Sequence, residues 1–381
     1  MSSPQGVVRS RRSAITVAVA GASSPAGTGI LRALVGAAAR GVPPSPDGSV
    51  PAARIGTVIG IGQEPGSVGG VEWRIGDDTT PEVVQALAGA DVVVFVAASS
   101  DLDADLRMTP RQRRERSLRR AQTVITAAAA AGASQLVAIT SAMVYGARDD
   151  NPVPLDDHAP LRAPVDTGVV GDLIDVEQLL AVTADVHPGL MVTVLRPAAL
   201  VGPGVDTVIT RHFEAPRLLT VRGSSPAWQF CHVEDLGAAV AVASARRLAG
   251  PLTVGSEGWL DQAEVEHLSG MRHVELSESA ALGAAQRLHR VGVLPTPASD
   301  LAFALHPWAV SSGRLRAEGW LPAYDNATCL GVVLDGVRGS LAVAARRVDR
   351  KDAALGAASA AVAMVGTAAI MRRRRRRGGR A

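Results

Sequence analysis

From Ala14 to about Leu200, short apolar runs alternate with longer stretches of helical pattern. Six runs predict strands: Ile15–Ala20, Ile55–Ile61, Val71–Ile75, Val92–Ala97, Leu136–Thr140 and Val192–Leu195. Most are near-continuous in apolar residues, as expected of strands covered on both faces. Between them, Ala26–Ala39, Pro81–Leu87, Arg111–Ala131 and Val170–Ala184 carry the Ala- and Leu-rich pattern of helices. Strand–helix alternation at this spacing predicts an α/β fold of Rossmann type: a doubly wound parallel sheet with right-handed crossovers. Gly41–Ala52 reads as a Pro/Gly/Ser surface loop. Past Leu200 the pattern changes, with Pro203, Pro216 and Pro226 breaking up shorter apolar segments. One clear helix follows, Val233–Leu248, with Glu234 and Asp235 in its first turn, where carboxylates suit the helix dipole.

Composition narrows the chemistry. Hydrophobic residues make up 47% of the 381 and charged residues 20%, so the chain can bury a large core. Aromatics are only 3%, and that core must be built from Ala, Val and Leu. Lys351 is the single lysine. Cys231 and Cys329 are the only cysteines, which excludes a disulfide scaffold and a zinc site of three or four thiolates. They read as buried thiols in a reducing compartment, and no metal site is predicted. The formal net charge is +3, yet Arg372 to Arg377 and Arg380 hold seven positive charges, leaving a body near −4. A mildly acidic body argues against a nucleic-acid partner.

The first predicted strand runs into Gly21-Ala22-Ser23-Ser24-Pro25-Ala26-Gly27-Thr28-Gly29, and a predicted helix follows. A Gly-rich turn in this setting is the fingerprint of a dinucleotide site. Gly21 permits the tight turn, Gly27 permits close helix–strand packing, and the helix N-terminus faces a pyrophosphate. Ser24 stands where a middle Gly is usual. It narrows the approach to phosphate but brings a hydroxyl able to donate to one, so the turn reads either as a nucleotide site or as one retained only as structure. At the end of the second strand Gly62 replaces the Asp or Glu that binds the ribose of NAD, and no Arg stands beside it for the 2′-phosphate of NADP. Glu64 serves only if the register shifts by two. Asp77 reads equally as a partner for an adenine amino group and as a turn or cap residue. With this turn placed, residues 1–13 read as a flexible tail and 14–250 as the dinucleotide-binding domain, with 199–231 contributing to a second lobe. Residues 251–335 read as that smaller, interleaved substrate-type lobe, and 336–381 as a basic linker, an Ala-rich apolar helix and an Arg tail.

Several landmarks now stand in one order. They are GASSPAG, Gly76-Asp77, Val94-Phe95-Val96-Ala97-Ala98, Thr140-Ser141-Ala142-Met143-Val144-Tyr145-Gly146, Leu195-Arg196-Pro197, Val201-Gly202-Pro203-Gly204 and His232-Val233-Glu234-Asp235-Leu236. Over roughly residues 14 to 335 the chain resembles the extended short-chain dehydrogenase/reductase superfamily, in its NAD-dependent epimerase/dehydratase branch. Within that branch it resembles an actinobacterial group similar to UDP-glucose 4-epimerase. The resemblance implies NAD or NADP as cofactor, held by Gly21, Ser23, Ser24, Gly27, Asp77, Ala97 and Pro197. It implies Ser141 at the catalytic Ser/Thr position, Tyr145 on the substrate side, and a nucleotide sugar or small carbonyl compound as substrate. Homodimerisation through a helical face is a further implication.

The family's catalytic Tyr-x-x-x-Lys should open the helix that carries Glu177-Gln178-Leu179-Leu180. Counting back puts Val169 at the Tyr position and Leu173 at the Lys position. Neither can ionise. The chain is therefore expected to be a degenerate member that binds, senses or scaffolds. The alternative is an active oxidoreductase or nucleotide-sugar epimerase using Ser141 with Asp172 or Asp175 as replacement acid/base. His232 reads as a structural residue at a helix start.

Ala353 to Met371 is a 19-residue run without charge, flanked by basic residues. Its length suits a membrane span. The six arginines after it would then lie outside, against the positive-inside tendency. A helix lying on an anionic membrane through 353–377, and a soluble helix docked on a partner, are the other two readings. The expected location is the cytoplasm, with membrane association through this segment.

Overall fold

A run such as Val92-Val93-Val94-Phe95-Val96 buries every side chain only inside a sheet with both faces covered, and that is where it lies. The computed structural model describes residues 14–46, 48, 52–165, 168–215, 217–290 and 297–346. The predicted 1–13 tail and the 353–377 segment lie outside the described residues.

The six predicted strands are β1 (Ala14–Ala20), β2 (Arg54–Gly62), β3 (Glu72–Ile75), β4 (Val92–Val96), β5 (Gln135–Ile139) and β6 (Met191–Pro197). The helices among them are α1 (Pro25–Arg40), α2 (Val83–Ala86), α3 (Leu102–Leu106), α4 (Pro110–Ala130) and α5 (Val169–Val186). The short α3 has no counterpart in the sequence reading, because its LDADL run carries no apolar period. Next come β7 (Ala199–Val201), α6 (Val208–His212), β8 (Leu218–Val221), β9 (Phe230–His232), α7 (Val233–Ala245) and β10 (Gly250–Val254). The remaining elements are α8 (Gln262–Ser269), β11 (His273–Leu276), α9 (Glu278–Arg290), α10 (Gly313–Ala317) and α11 (Asn326–Arg346).

The central sheet has seven strands in the order β10-β6-β5-β4-β1-β2-β3, and every pair is parallel. The chain winds outward in both directions from β1 and β4, and a crevice opens where their C-terminal ends diverge. The seventh strand, β10, lies past residue 250, where the sequence pattern puts the start of the smaller lobe. Pro251 fits there because Pro is tolerated at an edge, and β10 pairs on one side only. Two small parallel pairs, β7–β9 and β8–β11, sit outside this sheet.

A buried polar chain ties the sheet to α5. Glu177 accepts from the Thr140 hydroxyl at 2.7 Å and from the Arg196 guanidinium at 2.5 to 3.1 Å. Arg196 also donates to the Tyr145 hydroxyl at 2.9 Å and to the Asp157 carbonyl at 3.2 Å. Cys231 and Cys329 are both buried and free. Among the described residues, no helix is long and apolar enough to cross a membrane.

Candidate functional site

At the crevice, β1 ends in the turn Gly21–Ser24 and α1 begins. Gly21 has φ +87°, a conformation that favours glycine. A Cβ on Gly27 would lie 2.2 Å from the Gly21 carbonyl oxygen, so only glycine lets helix and turn approach this closely. Ser24 is the N-cap of α1. Its hydroxyl donates to the Gly21 carbonyl at 2.8 Å and accepts from the Gly27 amide at 3.0 Å. Expected to be available to a phosphate, that proton is instead committed to the turn, because the helix needs its cap.

The other leading amides of α1 are occupied as well. Pro25 has none, the Ala26 amide donates to Ser100 Oγ at 3.2 Å, and the Thr28 amide to the Ser24 carbonyl at 2.8 Å. The usual orphan donors of a helix N-terminus are thus satisfied within the chain. Nothing in the turn motif signals this, since Ser100 lies 74 positions away.

One continuous cleft of about 860 Å³ runs from this turn along the sheet edge. Gly21, Ser23, Ser24, Asp77, Ala97, Ser141 and Pro197 all line it, while Gly27 packs behind the turn. At one end Asp77 accepts from the Thr79 hydroxyl at 2.6 Å, from the Thr79 amide at 2.8 Å and from Gln63 at 3.2 Å. The Thr79 bonds, more than Gln63 or the charge of Arg116, hold its carboxyl below the usual range. Asp78 pairs with Arg120 at 2.7 Å. Arg120 donates also to the Val96 carbonyl at 3.1 Å and packs over the Phe95 ring. An adjoining pocket of about 360 Å³ is lined by Gln63, Asp77, Thr79, Gln112, Glu115, Arg116 and Arg119, and Arg116 lines the main cleft too. The sequence reading missed Arg116, because α4 delivers it from more than fifty residues beyond the end of β2.

At the other end Ser141, Val169 and Leu173 line the cleft together. The Ser141 hydroxyl accepts from the Met143 amide at 3.2 Å. Beside them Asp172 is buried and takes a bond from Arg113 Nε at 2.6 Å. Its other oxygen has no partner among the described residues, and burial raises its pKa. Asp175 pairs with Arg114 at 2.5 Å.

Tyr145 corrects an expectation. It does not line the cleft but is fully buried, donating to the Asp157 carbonyl at 3.0 Å and accepting from Arg196. Burial pushes its pKa up to about 12 against the opposing charge of Arg196. A Tyr at the end of a turn can face substrate or core, and here the buried Arg196 guanidinium draws it inward. His232 caps α7, accepting from the Glu234 amide at 3.3 Å, and stacks on Tyr324 at 3.8 Å between ring centroids.

The profile of the NAD dependent epimerase/dehydratase family matches residues 17–253. Uncharacterized protein Rv0501 of Mycobacterium tuberculosis (strain ATCC 25618 / H37Rv) is 29% identical over 126 residues, 33% of this chain and 34% of its own. Uncharacterized protein Mb0513 of Mycobacterium bovis (strain ATCC BAA-935 / AF2122/97) matches with the same identity and extent. The match therefore spans about a third of the length of these curated relatives. Among solved structures, MoeE5 in complex with UDP-glucuronic acid and NAD is similar at a TM-score of 0.58 and 18% identity, over 86% of this chain and 99% of that one. UDP-N-acetylglucosamine 4-epimerase from Bacillus cereus is similar at 0.57 and 17%, over 86% and 100%. At these identities the likeness is one of fold.

Proposed function

This chain belongs to the NAD dependent epimerase/dehydratase family, and from that premise we propose that it binds NAD(P) in the cleft without the family's usual proton-transfer pair. The observation that carries this reading is Val169 with Leu173, one helical turn apart on α5 and lining the cleft beside Ser141. A bound nicotinamide supplies hydride transfer. Interconverting an alcohol and a carbonyl also moves a proton, and the chain must give or take it. Valine and leucine cannot. Each missing acid/base group costs on the order of a hundredfold or more in rate. The remaining residues bind rather than react. Gly21 and Gly27 frame the turn, Ser23 and Ser24 flank it, Asp77 offers a carboxylate to an adenine amino group, and Ala97 and Pro197 wall the middle. Ser141 keeps one hydroxyl at the reaction end. The protein is then a binding, sensing or scaffold member, and its second ligand is a nucleotide sugar or a small carbonyl compound. The MoeE5 complex with UDP-glucuronic acid and NAD supports that ligand class.

Calorimetry with NAD, NADH, NADP and NADPH tests the binding half, and heat with at least one of them is expected. Across a panel of UDP-sugars, neither a change in nicotinamide absorbance nor conversion to the epimer, read by chromatography, is expected. A second reading rests on the unpartnered oxygen of Asp172, which lines the same cleft. In it Asp172 is the replacement acid/base, and the chain is an oxidoreductase or nucleotide-sugar epimerase. Turnover that collapses in both Ser141→Ala and Asp172→Asn would establish this second reading and remove the first.

A further inference from the structure

At this end of the cleft the last residue of β2, where NAD finds its carboxylate, is Gly62, and an arginine of the kind NADP needs lines the same cleft. Gly62 ends β2, and a Cβ there would lie 2.5 Å from Ser23 Oγ. The Ser23 hydroxyl thus occupies the space into which a carboxylate at position 62 would grow. A carboxylate at the end of this strand recognises the free 2′-hydroxyl of NAD, whereas a nearby arginine accommodates the 2′-phosphate of NADP. Arg116 lines the cleft, and Arg116 with Arg119 lines the pocket that adjoins it at Gln63.

Glu64 lines the main cleft two positions past Gly62 but not the adjoining pocket, and the other carboxylates nearby already have partners. Glu115 pairs with Arg111, Asp78 with Arg120 and Asp175 with Arg114. Asp77 faces the same pocket and feels the charge of Arg116, while its oxygens take hydrogen bonds from Thr79 and Gln63. Among the described residues, no carboxylate is in ion-pair contact with Arg116 or Arg119. The first amides of α1, the usual anion donors of this fold, are satisfied within the chain. Positive charge for a phosphate at this end therefore comes from α4.

Resting on the reading of the cleft as a dinucleotide site, we propose that it selects NADP(H) over NAD(H), and that Arg116 recognises the 2′-phosphate. Arg119 adds charge behind it, while Ser23 and Gln63 supply polar contacts. A guanidinium suits this task, since its planar fork of N–H groups matches phosphate oxygens.

Calorimetry on the full chain tests the proposal, with NADP and NAD as one pair and adenosine 2′,5′-bisphosphate and adenosine 5′-phosphate as a second. Members of each pair differ only in the 2′-phosphate. The phosphorylated member is expected to bind tighter by about tenfold or more, the effect of one charge-assisted contact. Arg116→Gln is expected to remove most of that difference, weakening NADP and the 2′,5′-bisphosphate far more than NAD and adenosine 5′-phosphate. If NAD binds as tightly as NADP, or if Arg116→Gln weakens both equally, the proposal fails and the dinucleotide reading stands. If none of the four nucleotides binds, the dinucleotide reading falls and takes the proposal with it.

Discussion

Single side chains decide what this cleft can do. Leu173 is only 9% exposed and Val169 half-buried, and in the proposed reading these two apolar side chains, beside Ser141 and Asp172, stand where proton transfer would need an ionisable group. Tyr145 cannot stand in, because a phenol with a pKa near 12 stays protonated at neutral pH. Burial acts on His212 in the opposite direction. Its ring lies against Trp228 at 5.3 Å and Phe213 at 5.6 Å, and Nε2 has no partner among the described residues. Burial pushes its pKa from 6.5 down to about 4. The unfolded chain then binds the proton first as pH falls, so this contribution is complete above pH 6.5 and is lost on the way to about pH 4. Denaturant titrations at about pH 7 and about pH 5 should show a loss of roughly 2 kcal/mol from this residue, absent in His212→Leu. Equal losses in the two proteins would show that another group drives the acid sensitivity.

On α5, Val169, Leu173 and Glu177 stand four apart and form one stripe toward the cleft and sheet, while Asp172 and Asp175 reach α4. Glu177 anchors the stripe, holding Arg196 of β6 inside the protein. Its local motif was legible in the sequence. Its partner was not, because only the parallel placement of β6 beside β5 brings Arg196 across from α5. Glu177→Ala should cost about 3–5 kcal/mol in urea unfolding, since it leaves a buried guanidinium without its carboxylate. A cost below about 1 kcal/mol would mean that apolar packing alone positions the helix.

Across the whole molecule, the last third of the chain completes what the first two thirds begin. β10 covers the edge of β6, and Thr253 at its heart donates to the buried Asp157 at 2.5 and 2.8 Å. Gln229 bonds to Ser256 and Val310, and Asn326 to Phe230 and Glu257. A chain cut after residue 250 should lose cooperative melting and run as aggregate on size exclusion, because it exposes a sheet edge and strands these polar groups. A sharp melt from a monomeric fragment would instead make residues 14–250 an independent unit. The parallel α/β sheet, the Gly-rich turn and the residues standing at 169 and 173 were determined by the sequence alone, because periodicity and spacing are local properties. The tertiary structure alone decided three other matters: Ser100 takes an amide of α1, Tyr145 turns into the core, and Arg116 lines the cleft beside Gln63 and Asp77. The reason is physical. Each depends on how α3, α4 and β6 pack against residues dozens of positions away, and no repeat along the chain encodes that distance.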